Sequence, residues 1–236
     1  MPLTSQNFCH ELVSYMKERY DDDFRIYRHM LLRYLIDGIM RKYGIESHER
    51  LIGQIRLDSA FRDRCLYELG IPETELFRDP DFWIYLKKKI LPKITKQKNE
   101  VNIWFPNSVN GFDLYSFLFL LSHCGNSDQI KISLSSISEK GLAQIAGGVY
   151  SEKSYHVSLE NIERLGIPST FDKDGSGKDK FMTSILSDLK KVHFYRQNLM
   201  GDPLPTVKMD MIFYRNKLLA YKRDQHPEIL SVLSSV

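Results

Sequence analysis

The sequence predicts an α/β protein in two parts, a helical N-terminal segment followed by a parallel sheet with its crossover helices. Three observations predict it. The first ninety residues carry apolar side chains at helical spacing. Short strand-like runs occur only after residue 100. The first two of these runs are joined by a glycine-containing turn and an apolar helix, a βαβ unit whose right-handed crossover makes the sheet parallel.

Phe8, Leu12, Tyr15 and Met16 mark the first helix, and Tyr27, Met30 or Leu31, Tyr34, Leu35 and Met40 the second. Gly44 is placed to end that second helix, and Ser47 is a partial N-cap, because Arg50 rather than Glu follows three residues later. Helices over about 47–56 and 58–69 come next. Pro80 opens another through Trp83, Leu86, Ile90 and Leu91, which Pro92 bends or interrupts. The charged run from Lys93 to Glu100 reads as a connector. Strands are expected at Val101 to Phe105, Ile130 to Leu134, Val192 to Tyr195 and Met209 to Tyr214, with a helix over about 113–123. The stretch 151–191, with Pro168, Gly175 and Gly177, is too long for a simple crossover and is expected to form an inserted subdomain. Residues 1–92 and 93–236 are thus the two expected domains.

Composition narrows the function. The chain has 236 residues, 42% hydrophobic and 27% charged, which is ordinary for a globular protein. Its net charge of +3 offers no domain-wide surplus for nucleic acid or an anionic membrane, so any electrostatic partner must be read locally. Cys9, Cys65 and Cys124 form no CxxC and read as reduced, buried thiols. The start lacks a signal-peptide pattern, and the longest apolar block, Phe117 to Leu121, falls far short of the ~20 residues of a membrane span. A cytoplasmic protein without membrane insertion is expected.

Asn107 to Gly111 lies between the first strand and its helix, where an α/β fold gathers backbone N–H groups for a cofactor. It holds one glycine rather than the three of a dinucleotide fingerprint, and the second strand ends in Ser135, Ser136 and Ser138 where a ribose would need a carboxylate. Asp172, Asp174 and Ser176 resemble the start of a calcium loop, but Thr183 stands at the position of the bidentate Glu, so a polar loop is expected there. The seven histidines show no metal-binding spacing, and no metal is assigned. Arg25, Arg28, Arg33, Arg41 and Lys42 read as a solvated basic face.

Longer motifs carry more. ETELFRDPDFW, from Glu73, is close to Thr-x-Phe-Phe-Arg-Asp-Pro; IWFPNSVNGFDLYSF stands where Trp and Cys-Ser-Thr-Gly-Glu-Glu-Pro-Tyr-Ser would be; Gly147-Gly148-Val149-Tyr150 matches Gly-Ile-Tyr; and FYRNKLLAY matches Phe-Cys-Arg-Asn-Val-x-Ile-Tyr-Phe. In these, and in the two-helix pattern of residues 23–55, the chain resembles the CheR-type chemotaxis receptor methyltransferases, which transfer methyl from S-adenosylmethionine to receptor glutamates. The resemblance implies a small helical domain, then a Rossmann-like methyltransferase domain carrying an antiparallel β subdomain at 151–191 that can dock a receptor tail.

Carried over by position, Thr74, Arg78, Gly111, Asp113, Asn198, Arg215 and Asn216 would bind the cofactor, and Arg78 and Arg215 are the candidates for a catalytic role. Tyr115 and Ser116 are also kept. Several positions depart. Gly-Glu-Glu has become Gly111-Phe112-Asp113, with Phe112 placed to fill adenosine space. Both acids of Ser-Asp-Ile-Asp are lost at Ser136 and Ser138. The tyrosine near the transferred methyl aligns with Ala220, beside Tyr221. The family also continues into a Pro-Gly-Gly turn and further strands beyond the point where this sequence stops, at Leu233 to Val236. About four strands are therefore expected, with Met209 to Tyr214 on an edge that the C-terminal helix, a second copy or a partner must cover. The expected function is that of a shortened, degenerate homologue, a pseudoenzyme that binds S-adenosylmethionine weakly or not at all. It would act by protein contacts in chemotaxis signalling, on a chemoreceptor or signalling protein or as a homodimer. The alternative is an active protein-glutamate O-methyltransferase.

Overall fold

The computed structural model describes residues 4–122, 127–149, 152–166 and 180–236. The helical segment forms as its spacing requires: α1 (Gln6–Tyr20), α2 (His29–Tyr43), α3 (His48–Leu57) and α4 (Ser59–Leu69). Ser5 caps α1, Ser47 caps α3 and Asp58 caps α4, each accepting from a backbone N–H in the first turn. Gly44 ends α2 in the left-handed region at φ 62°, where a Cβ would be strained, and Ile45 N–H returns to the Met40 carbonyl.

The linker helix departs from the expected bend. α5 (Pro80–Tyr85) and α6 (Leu91–Gln97) are joined by one wide turn over Leu86–Ile90, in which Leu91 N–H bonds the Leu86 carbonyl five residues back. Pro92 has no N–H, and widening the turn ahead of it admits its ring while the helix continues. The expected connector shrinks to 98–100.

The sheet is parallel, ordered β3-β2-β1-β4, and built from β1 (Val101–Phe105), β2 (Ile130–Ser136), β3 (His193–Arg196) and β4 (Met211–Ile212). The expected edge run contracts to two ladder residues, although Asp210 and Phe213 still donate to β1. α7 (Phe112–Ser122) follows β1 and is buried all round from Phe112 to Leu121, which is why its sequence has no polar face. α8 (Glu139–Ala146) follows β2.

The described parts of the 151–191 excursion are helical, α9 (Glu152–Arg164) and α10 (Lys180–Leu189), and not the antiparallel strands that the resemblance implies. Ile162, Ile185 and Leu189 are buried in the core beside α7, a spacing that suits helices on an apolar layer. The calcium-like residues from Asp172 to Gly177, and Cys124, lie outside the described residues.

Two apolar clusters result. One holds Phe77, Trp83, α7 and one face of the sheet. The other holds α1 to α4 together with Trp104, Leu199, Tyr221, Ile229 and Leu233, the last two from α11 (His226–Ser234). An antiparallel bridge joins Tyr27 to Tyr221, with Arg28 N–H on the Ala220 carbonyl and Lys222 N–H on the Ile26 carbonyl. Cys9 and Cys65 are free and buried, and burial pushes the Cys65 thiol up to about 12, consistent with reduced core thiols. Among the described residues, no helix is long and apolar enough to cross a membrane.

Candidate functional site

At the carboxyl ends of β1 and β4, Thr74, Arg78, Asp113, Arg215 and Asn216 surround one cavity of about 280 Å³, together with Glu73, Lys217 and Ala220. Five of the seven sequence-predicted positions are thus brought together. The segment bearing Thr74 and Arg78 is held from two sides: Leu76 N–H donates to Ser158 of α9 and Phe77 N–H to Ser116 of α7. Asn216, which lines this cavity, and Phe77 and Asp79 on either side of Arg78 have positive φ, backbone strain of the kind found at built sites. A larger recess of about 450 Å³, under residues 203–209, holds none of the candidates.

Arg215 is already engaged. Its guanidinium reaches Asp113 at 3.0 Å, Asp79 at 2.8 Å and the Arg78 carbonyl at 2.7 Å, and it lies over the Phe82 ring at 4.3 Å. It clamps the Arg78-Asp79 turn to the start of α7. Burial, then the neighbouring Glu73, pushes the Asp113 carboxyl up to about 6, and Arg215 pulls against them. Burial likewise raises Asp22 to about 6, with Arg196 opposing. Both acids bind protons more tightly in the folded chain than at the ordinary aspartate value of 3.8, so stability falls as pH rises from about 4 through 6. Asp113→Asn is expected to flatten that slope in urea unfolding measured across this range. An unchanged slope would show that Asp113 does not supply it.

The adenosine side is arranged differently. Asn198 does not join the cavity; its amide donates to the Asp21 carbonyl at 2.7 Å, and it borders a space of about 30 Å³ between Gly70, Asn107, Ile137, Tyr214 and Tyr221. Tyr221 lines this space, taking a hydrogen bond from Asn107 at 3.1 Å and meeting Tyr214 OH at 3.2 Å. Ser138, 1% exposed, caps α8. Asp63 of α4 covers that helix end, accepting from Glu139 and Lys140 N–H at 2.8 Å each and from the Ser138 hydroxyl at 3.2 Å. The place where a ribose would meet an acid is therefore occupied by a helix–helix junction.

Phe112 lines neither this space nor the 280 Å³ cavity. It is buried in the sheet-side core, and Ile145 of α8 covers Gly111, where an added Cβ would sit 2.6 Å from its Cγ2. The side-chain direction at the first turn of α7, not bulk alone, sets this. The sequence reading also missed Lys217 and Glu73. The Lys217 ammonium, 4% exposed, donates to the Asn107 carbonyl at 2.7 Å and the Pro106 carbonyl at 3.1 Å, and lies 3.3 Å from Glu73. The visible signal was Lys217 itself, standing where the quoted motif has Val.

Ligand pockets for molecules of cofactor size run to ~300–1,000 Å³. Among the described residues, those on the Arg215 side leave room for an amino-acid-like group, and the space beside Asn198 is about 30 Å³.

The family model described as the CheR methyltransferase, SAM binding domain, matches residues 72–236. The chain is similar to the putative methyltransferase Cher3 of Pseudomonas putida, 24% identical over 216 residues that cover 91% of this chain and 78% of that protein. It is also similar to the chemotaxis protein methyltransferases of Vibrio parahaemolyticus, at 27% identity, and Vibrio cholerae, at 26%, each match covering 87% of this chain and 75% of the relative. With the family model matching well over half its length, and with the strand order and the Thr74, Arg78, Arg215 and Asn216 constellation in place, the chain belongs to the CheR methyltransferase family.

Proposed function

We propose that this protein is a non-catalytic member of its family, with weak or no binding of S-adenosylmethionine, and that it acts in the cytoplasm through protein contacts in chemotaxis-like signalling. One observation carries the reading: the space beside Asn198, where the adenosine half would lie, is only about 30 Å³ and is narrowed by the Tyr221–Asn107 bond, while Asp63 takes up the α8 N-terminus that a ribose acid would adjoin. The partner is a chemoreceptor, a signalling protein or a second copy paired at the β4 edge. Methyl transfer to a carboxylate needs no strong base from the protein, so cofactor placement is the whole of catalysis, and a closed crevice abolishes it. An active enzyme is the second reading, favoured by the five candidates around the 280 Å³ cavity, with Asp113 in the place of a lost acid. Calorimetric titration with S-adenosylmethionine and S-adenosylhomocysteine is expected to give no heat at micromolar protein. Micromolar binding of either, followed by methyl transfer to a receptor fragment that Arg78→Ala removes, would establish the second reading.

A further inference from the structure

The net charge of +3 hides a strong local asymmetry. Residues 86–98 contain six lysines and no acid, so the remainder, with 27 Lys and Arg against 30 Asp and Glu, is net negative. The structure gathers most of this charge on one face. Leu86, Ile90, Leu91 and Ile94 of the linker helix turn inward to the sheet-side core. Tyr85, Lys88, Lys89, Pro92, Lys93 and Lys96, at i, i+3, i+4, i+7, i+8 and i+11, turn outward and are all exposed. Lys98 is tied to Asp210, whereas no ion pair among the described residues engages Lys88, Lys89, Lys93 or Lys96.

We propose that this face docks the protein on an anionic lipid bilayer. The face carries Lys without a single Arg, and so lacks the planar forks that phosphate or carboxylate recognition in a fixed geometry uses; a fluid lipid surface asks only for charge. It is a convex helix face with no groove to track a nucleic-acid strand. Tyr85, 58% exposed at its head, supplies the amphipathic ring that settles at headgroup depth. The negative remainder is repelled by the same surface, which fixes the orientation. Pro80, which opens the helix two residues after Arg78 at the cavity rim, lies about 12 Å along it from Lys88, so a docked molecule holds its cavity close beside the membrane. This inference does not depend on whether the cofactor binds.

Co-sedimentation with vesicles of phosphatidylcholine alone, and of phosphatidylcholine mixed with phosphatidylglycerol, tests it. Binding is expected to the mixed vesicles only and to be released by added salt. Each lysine at such a surface is worth about fivefold in affinity, so K88E/K89E/K93E/K96E is expected to lose well over tenfold while its melting temperature holds. Tyr85→Ser gives a smaller loss. Equal binding to both vesicle types, or full binding by the quadruple variant, would overturn the proposal. So would capture of polyglutamate or duplex DNA in preference to the mixed vesicles, which would assign the face to a different partner class.

Discussion

Lys217→Met lowers unfolding free energy by about 3–5 kcal/mol, the usual result of removing one partner from a buried ion pair. The ammonium and Glu73 are both under 10% exposed, and the variant leaves Glu73 with only the Ser108 hydroxyl, beside Asp113, whose own carboxyl already resists ionisation. It also strips the Pro106 and Asn107 carbonyls of their donor. For a chain of this length the melting temperature falls by roughly 6–20 °C. Adding Glu73→Gln is expected to recover more than half of the loss, because the double variant buries no unpaired charge. Urea unfolding of the two single variants and the double closes the cycle. Strictly additive losses would show that the pair is not coupled.

Gly111→Ala costs about 3 kcal/mol, or roughly 6–12 °C in melting temperature. Its φ of +74° is one that an L side chain rarely adopts, and the new methyl meets Ile145 in the last turn of α8. Two other glycines provide the control. Gly38 in α2 and Gly53 in α3 have nothing within 4 Å of an added Cβ, so alanine there stabilises by about 0.5–1 kcal/mol. A neutral Gly111→Ala would mean that α8 yields at Ile145.

The local parts of the fold were legible because they depend on neighbours in sequence. Gly44 ends α2, Ser47 caps α3, and Val101 to Phe105 and Ile130 onward pair as strands, each from signals a few residues wide. Thr74, Arg78 and Arg215 were legible through motifs. The lost acid at Ser138 was visible too, but not its new partner: Asp63 lies 75 positions away, and a carboxylate on a helix N-terminus has no sequence signature at that range. Lys217 and Glu73 were hidden for the same reason. The helical character of α9 and α10 was readable in Leu159, Ile162 and Leu165 and in Ile185 and Leu189, whose spacing the expectation of strands passed over.

The bridge between Tyr27 and Tyr221 gives synthesis a direction. A growing chain can form α1 to α4 early, but the aromatic lid of their core, Tyr221 with Ile229 and Leu233, is made only after the whole sheet. β1 waits similarly for Met211, its partner across 108 residues. Until then Phe24, Tyr27 and Ile36 have no finished shelter, and the nascent protein carries an open apolar seam that late residues must find across the whole chain. Synthesis of residues 221–233, and not emergence of the helices, is the step that lets this molecule complete its native core.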